Sequence, residues 1–242
     1  MFDEFMAKVA EALEKIRLTQ KAAIEEAGRF VAETIKKDGM VRPMGTGHSH
    51  LVATEMYQRA GGLACVAPLM EGNLMMHEGG RKSGALERLP GYAAAILAYN
   101  DVESRDLLLI ISQSGRNAVP VETAIEGKRR GMKTVAITSL AHSKSVLSRA
   151  PSALRLFEVA DVVIDNCSPI GDACVEIPGL SDSVAPLSTI TGVFIWHQIE
   201  IAAVSALLAE GVKPPVFVSG NAPGGEARNI EIYMKYKNRV RF

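Results

Sequence analysis

The chain carries no surplus of either charge: 27 Lys and Arg balance 27 Asp and Glu across 242 residues. A general nucleic-acid or anionic-membrane binder needs excess Lys or Arg against phosphate, so the balance sets both partner classes aside. Cysteine is scarce. Cys65, Cys167 and Cys174 are an odd, widely spaced set with no C-x-x-C pair. They fit small core residues in a reducing compartment better than a disulfide frame or zinc site. A spanning helix needs about 20 predominantly apolar residues, and the most apolar stretch, 187–209, is interrupted by His197, Gln198 and Glu200. Met1-Phe2-Asp3-Glu4-Phe5 places acids ahead of any apolar run and does not read as a signal peptide. The expectation is a soluble cytoplasmic protein with no nucleic-acid or membrane partner.

Several catalytic signatures are missing as well. No Gly-Lys-Ser/Thr follows a glycine-rich loop, which excludes a P-loop. Gly45-x-Gly47 begins a dinucleotide fingerprint, but His50 takes the third glycine's place and Cys65 stands where the ribose-binding acid belongs. There is no G-x-S-x-G elbow. His48-x-His50 lacks a third ligand at useful spacing, since His77, His142 and His197 are scattered. Neither a cofactor nor a metal is expected.

What the chain does contain is an alternation of apolar patterns. Phe2, Phe5, Val9, Leu13 and Ile16, then Ile24, Phe30, Val31 and Ile35, recur at helical spacing. They predict one long helix or two in succession, with Thr19 the candidate cap, Asp38-Gly39 the stop, and packing or dimerisation as the role. Beyond Gly39, strands are expected at 40–44, 63–67, 107–111, 134–138 and 162–164. Helices are expected from the first strand to Arg59, over 91–99, from the third strand to about Arg130, and over 189–210. This alternation predicts an α/β fold: a three-layer α/β/α sandwich around a parallel, five-stranded, doubly wound sheet. The expected organisation is a single domain over 1–242, with a helical extension at 1–38, an α/β core at 40–210 and a polar tail at 211–242.

The strongest local signal is Ile111-Ser112-Gln113-Ser114-Gly115-Arg116-Asn117. Ligands of open α/β sheets bind beyond the carboxyl ends of the strands, and this loop lies there. It also opens a helix, whose unpaired N–H groups favour an anion. Ser112 and Ser114 supply hydroxyls, Gly115 permits close approach, and Asn117 is placed as N-cap with Pro120 at the third helical position. The pattern suits a phosphate, with an ordinary Ser/Gly turn as the competing reading.

Ser112-Gln113-Ser114-Gly115 after a buried strand resembles the phosphate loop of the sugar isomerase (SIS) domain family, and in general look the chain is closest to bacterial SIS proteins of unassigned activity. Gly45-Thr46-Gly47-His48-Ser49 resembles that family's first-strand loop, Thr138-Ser139 is a third match, and Pro186-Leu187-Ser188-Thr189 resembles its Ser/Thr pair facing the sugar. The four matches fall in family order over 40–210. The resemblance implies a phosphorylated sugar bound by Gly47, His48, Ser49, Ser112, Gln113, Ser114, Asn117, Ser188 and Thr189. It also implies a homodimer or a dimer of dimers. Asn117 stands where the family commonly has Thr, with Arg116 before it, which bears on the identity of the sugar.

An aldose–ketose isomerase passes through an enediol and needs an acid/base group near neutrality. Phosphoheptose isomerase and N-acetylmuramic acid 6-phosphate etherase carry a glutamate where this chain has Arg59, which leaves Glu55 as the nearest carboxylate. His197, in the last long helix, matches the catalytic histidine of phosphoheptose isomerase in region, and His77 lies in the long loop 68–89. Glu55, His77 and His197 are therefore the catalytic candidates; the competing readings are a solvated helix glutamate and a satisfied core histidine. A phosphosugar isomerase is the leading expectation. A non-catalytic phosphosugar-binding module and an etherase-like lyase are the alternatives.

Overall fold

Leu107–Ile111 is an unbroken apolar run because both its faces are covered, as a parallel strand between helical layers requires. The computed structural model describes residues 2–240 and places this strand, β2, beside β1 (Val41–Gly45). On its other side lie β3 (Lys133–Thr138) and then β4 (Val162–Asp165), all parallel, in the order β1-β2-β3-β4. Gly45 pairs with Ile111 and Ile111 with Ile137, so the carboxyl ends of the three central strands stop level with one another. Residues 1, 241 and 242 of the expected domain span lie outside the described residues.

Leu107, Leu109 and Ile111 enter one core and Leu108 and Ile110 the other. The first core lies under α1 (Phe2–Thr19), α2 (Lys21–Lys36), α3 (Ser49–Glu55) and, from later in the chain, the helices at Ser188–Ala209 and Gly225–Tyr236. The second lies under the helices that follow the loop 68–79. Of these, α4 spans Gly80–Leu86, α5 Tyr92–Tyr99, α6 Ala118–Arg129 and α8 Leu156–Val159, while α7 (Leu140–Ser145) lies outside that core, after β3. A short antiparallel hairpin, β5 (Ala173–Val175) with β6 (Val184–Pro186), precedes α9 (Ser188–Ala209), and α10 is Gly225–Tyr236. The architecture is the expected α/β/α sandwich.

The fifth strand position is filled by an irregular segment. Val41 donates to Cys65 O (2.9 Å) and accepts from Ala67 N (2.8 Å), and Pro43 O accepts from Leu69 N (2.8 Å). The next bond of that parallel ladder would be donated by residue 43, and proline has no N–H to give. Pairing is thus real but interrupted. On the far side, residues 61–64 bond antiparallel to 215–217, so part of the tail closes the sheet's edge.

Other differences have local causes. The break between α1 and α2 falls where expected, but Thr19 does not cap; its hydroxyl donates back to Lys15 O (2.7 Å). Gln20 occupies the cap position, and its side-chain oxygen accepts from Asp165 N (3.0 Å), covering the open edge of β4. α3 ends at Glu55, short of Arg59. The tail contains a helix, α10, and returns to the amino end of the sheet, where Arg239 reaches Asp106 (3.2 Å). Among the described residues α9 is the one helix long and apolar enough to cross a membrane by length and composition. Here it packs along α2 so closely that a Cβ on Gly28 would lie 2.6 Å from Ala202 Cβ.

Asp106 anchors the amino end of the sheet. Its side chain is fully buried and accepts from Met40 N (2.8 Å), Arg42 Nε (2.9 Å) and Glu103 N (3.2 Å) besides Arg239. Removing it would leave Arg42, itself buried, without a counter-charge, and breaking such a pair costs about 3–5 kcal/mol. Urea unfolding of Asp106→Ala is expected to show a loss of that order. A loss under about 1 kcal/mol would place the anchor elsewhere.

Candidate functional site

The level strand ends gather four loops on one rim. The loop after β2 turns at Gly115, whose φ is +57°, a conformation that disfavours a side chain. Space is short too: a Cβ there would meet Ser143 Oγ at 3.0 Å and Thr138 Oγ1 at 3.1 Å. Ser112 Oγ accepts from Gly115 N (3.2 Å) and closes the turn on itself. The N–H groups of Ser114, Arg116 and Asn117 make no hydrogen bond among the described residues. They lie at the start of α6, where the helix dipole adds to their preference for an anion. After β1, Gly45 lets α3 begin against the strand: a Cβ would lie 2.4 Å from the Ser49 carbonyl.

A narrow cleft opens between these loops and α9. Ser49, Gln113, Asn166, Ser188 and Thr189 line it above Val52 and Ile111. The structure brings Ser49, Gln113, Ser188 and Thr189 into that one cleft and divides the expected ligand contacts into two sets. Ser49, Ser114 and Thr189 have hydroxyls with no hydrogen-bond partner among the described residues. Ser112, Gln113, Asn117 and Ser188 already have partners. Gln113 Oε1 accepts from Asn166 Nδ2 (2.7 Å), and its Nε2 donates to Ser168 Oγ. Ser188 Oγ donates to Asp172 Oδ2 (2.6 Å), while Asp172 Oδ1 accepts from Leu187 N (3.1 Å) and Ser188 N (2.8 Å) at the start of α9. Gly47 and the exposed His48 sit at the outer lip.

Asn117 holds the N-cap position without capping by its side chain. Val119 N–H, the group it would serve, donates instead to Glu87 O (3.0 Å). The freed Asn117 Nδ2 donates to Glu87 Oε1 (2.7 Å), and Thr46 Oγ1 donates to Glu87 Oε2 (2.7 Å). Glu87 thereby ties the first loop to the loop after β2. Sequence reasoning missed Glu87, Asn166, Ser168 and Asp172. Of these only Asn166 had a local signal, its place just after the β4 strand.

The catalytic candidates divide as well. His197 Nε2 lies 3.8 Å from Glu55 Oε1, and its Nδ1 lies 3.3 Å from Glu200 Oε2. Arg59 Nε pairs with Glu55 (2.8 Å), and Glu200 Oε1 accepts from Leu63 N (2.8 Å). Burial raises the Glu200 pKa above the ordinary carboxylate value. This cluster lines a second cleft of about 300 Å³. Val52, packed against Gly192, lies at the crossing of α3 and α9 between the two clefts; a Cβ on Gly192 would sit 3.0 Å from Val52 Cγ2. His77 joins neither pair. It is exposed, its ring 6.2 Å from that of His50, on a loop pinned over the first turn by Gly47 N to Leu74 O (2.9 Å).

The SIS domain family profile matches residues 4–139, more than half the chain and inclusive of the first loop, the loop after β2 and Thr138-Ser139. The chain belongs to the SIS domain family. The UPF0309 protein of Thermoanaerobacter pseudethanolicus is 41% identical over 245 residues, covering 100% of this chain and 99% of the relative. That of Geobacillus thermodenitrificans is 39% identical over 240 residues, covering 99% and 96%. In fold, this SIS protein is similar to phosphoheptose isomerase from Neisseria gonorrhoeae, with a TM-score of 0.57 at 16% identity over 84% of this chain and 97% of that one. The Francisella tularensis phosphoheptose isomerase gives 0.55 at 16% identity over 83% and 95%.

Two measurements test the geometry of this SIS domain. Gly115→Ala forces a strained turn into contact with Ser143 and Thr138, at a cost of about 1–3 kcal/mol, read as a lowered melting temperature. A wild-type melting temperature would remove the turn from the account. For Glu200 the sign follows from its raised pKa. The folded state holds the proton more tightly than the unfolded state, so the carboxyl favours folding most at low pH and loses that contribution as pH rises through the folded pKa. Relative to Glu200→Gln, the wild type should therefore lose melting temperature as pH rises from the ordinary carboxylate value through the raised folded pKa. Parallel pH profiles would contradict the burial effect.

Proposed function

We propose that the protein binds a phosphorylated sugar with its phosphate on the Ser112–Asn117 loop and acts on it as a sugar-phosphate isomerase. The single observation carrying the binding step is the Gly115 turn, with three free N–H groups at the start of α6 and the unengaged hydroxyls of Ser49, Ser114 and Thr189 on the same rim. An array of this kind receives a dianion without a basic surface. The fold likeness to phosphoheptose isomerases agrees with this reading.

The chemistry proposed is aldose–ketose interconversion through an enediol. A base takes the proton beside the carbonyl, and the same or a second group returns it to the neighbouring carbon while protons move between the two oxygens. Glu55 and His197 supply the acid/base pair, with Glu200 holding the imidazole. From Ser49 to Glu55 is six residues of helix, about 9 Å of rise at 1.5 Å each, comparable to the length of an extended sugar phosphate. His77 serves at the outer lip. No cofactor or metal enters this scheme. The protein is further proposed to be cytoplasmic and a homodimer, or a dimer of dimers, with residues 1–38 and 211–242 folded into one SIS domain. Ile16, Tyr236 and Val240, which enter the same core as β2, support the last point.

A second reading rests on the Val52–Gly192 contact. Because Glu55 and His197 lie beyond it, the rim alone would make a phosphosugar-binding module without chemistry. Thermal shift against hexose, pentose, heptose and N-acetylated amino-sugar phosphates tests the shared step. A ligand at about 100 times its Kd adds about 2.7 kcal/mol, and Ser114→Ala should weaken that ligand measurably. Deuterium uptake from D₂O into the bound sugar then separates enzyme from module: uptake abolished by Glu55→Gln and His197→Asn supports the isomerase. No shift with any phosphosugar would sink both readings.

A further inference from the structure

Arginines in this protein are mostly ion-paired, Arg17, Arg42, Arg105 and Arg239 among them. Arg116, within the Ser112–Asn117 loop, and the exposed Arg88 and Arg149 beside it have no carboxylate at ion-pair distance among the described residues. Arg149 N donates to Arg116 O (2.7 Å), and Arg149 Nη1 donates to Asn117 Oδ1 (3.4 Å). Arg88 follows Glu87, the residue bonded to Asn117 and Thr46. Burial first, then the charges of Arg116 and Arg88, lower the Arg149 pKa, as close like charges must. Glu87, hydrogen-bonded to the neutral Asn117 and Thr46, offsets part of this repulsion, one carboxylate against three guanidinium groups.

Two polar atoms at this turn are buried and unpartnered: Arg116 Nε and Ser143 Oγ. Ser143 is wholly buried against Gly115. Such donors are expensive to leave unmet, and a guanidinium suits carboxylate or phosphate oxygens in paired hydrogen bonds. One phosphate does not require them. The free N–H groups, the hydroxyls and the helix start already suit a single dianion, so the concentrated positive charge lies in excess of that need.

We propose that the Arg116 side chain, at the end of the phosphate loop, and Arg149 and Arg88 next to it form a second anion subsite, and that the preferred ligand is a sugar phosphate bearing another acidic group, a carboxylate or a second phosphate. This rests on the phosphosugar reading above and narrows it.

Calorimetric titration with matched pairs tests it: glucose 6-phosphate against 6-phosphogluconate, and fructose 6-phosphate against fructose 1,6-bisphosphate. In the wild type the doubly acidic member of at least one pair should bind about tenfold tighter, the worth of one charge-assisted hydrogen bond. In Arg116→Gln/Arg149→Gln, and in part in Arg149→Gln alone, that ratio should fall below about threefold. Salt should shrink the wild-type ratio as well. Equal binding within both pairs, or a double variant that weakens both members alike, would show that the arginines serve the single phosphate; the subsite fails and the phosphosugar reading stands. Binding of none of the four would overturn both.

Discussion

Four parallel strands ending level create a row of backbone and side-chain polar groups that must be paired without a further strand to pair them. The network around Gln113 meets that requirement. Its side chain joins Asn166 and Ser168 beyond β4, and its carbonyl accepts from Ser139 N (3.1 Å) beyond β3. Ser139 Oγ in turn donates to Ser168 O (2.7 Å). A network satisfied at every member is rigid, and the cost of leaving one member unpaired keeps it so. The Gly115 turn is held to this frame, and the N–H groups it leaves free are presented by backbone that has little freedom to retreat.

The same frame explains a division of labour among residues that look alike in sequence. Serines and amides at strand ends are the usual ligand groups, but here about half are consumed in holding loops together. Glu87 illustrates why. By accepting from Val119 N with its carbonyl and from Asn117 and Thr46 with its carboxylate, it relieves Asn117 of capping and welds two loops that come from different strands. Asp172 does the equivalent for α9 and takes the Ser188 hydroxyl with it. The groups left over, Ser49, Ser114 and Thr189, mark where a ligand has hydrogen bonds to gain.

Legibility in the sequence followed the range of the interactions involved. The buried strands, the loop after β2 and the long α9 were readable because each depends on neighbours in the chain: apolar runs, a Ser/Gly turn, a helical start. The meeting of Glu55 with His197 was not. It depends on α3 crossing α9 at Val52 and Gly192, residues 140 positions apart. Glu87 was unreadable for the same reason, lying in a loop whose sequence carries no period. The interrupted fifth strand shows the reverse case, in which one local residue, Pro43, decides a feature that looks tertiary.

Net neutrality acquires a different meaning once charges are placed. At the amino end of the sheet, Arg42 and Arg239 converge on the fully buried Asp106, and charge is spent on holding β1, β2 and the tail together. At the carboxyl end, Arg88, Arg116 and Arg149 share a single carboxylate, Glu87, which offsets only part of their charge. A zero sum over the whole chain thus coexists with a local gathering of arginines around one carboxylate. Of the three, Arg88 and Arg149 reach solvent, whereas the buried Arg116 Nε has no partner, and the unmet guanidinium donor at this rim is therefore that of Arg116. An anion that neutralises them gains more there than at any paired arginine elsewhere, because no existing ion pair has to be broken first. A few guanidinium groups, one of them Arg116 of the loop itself, are thus the charge that an anion at this rim would meet.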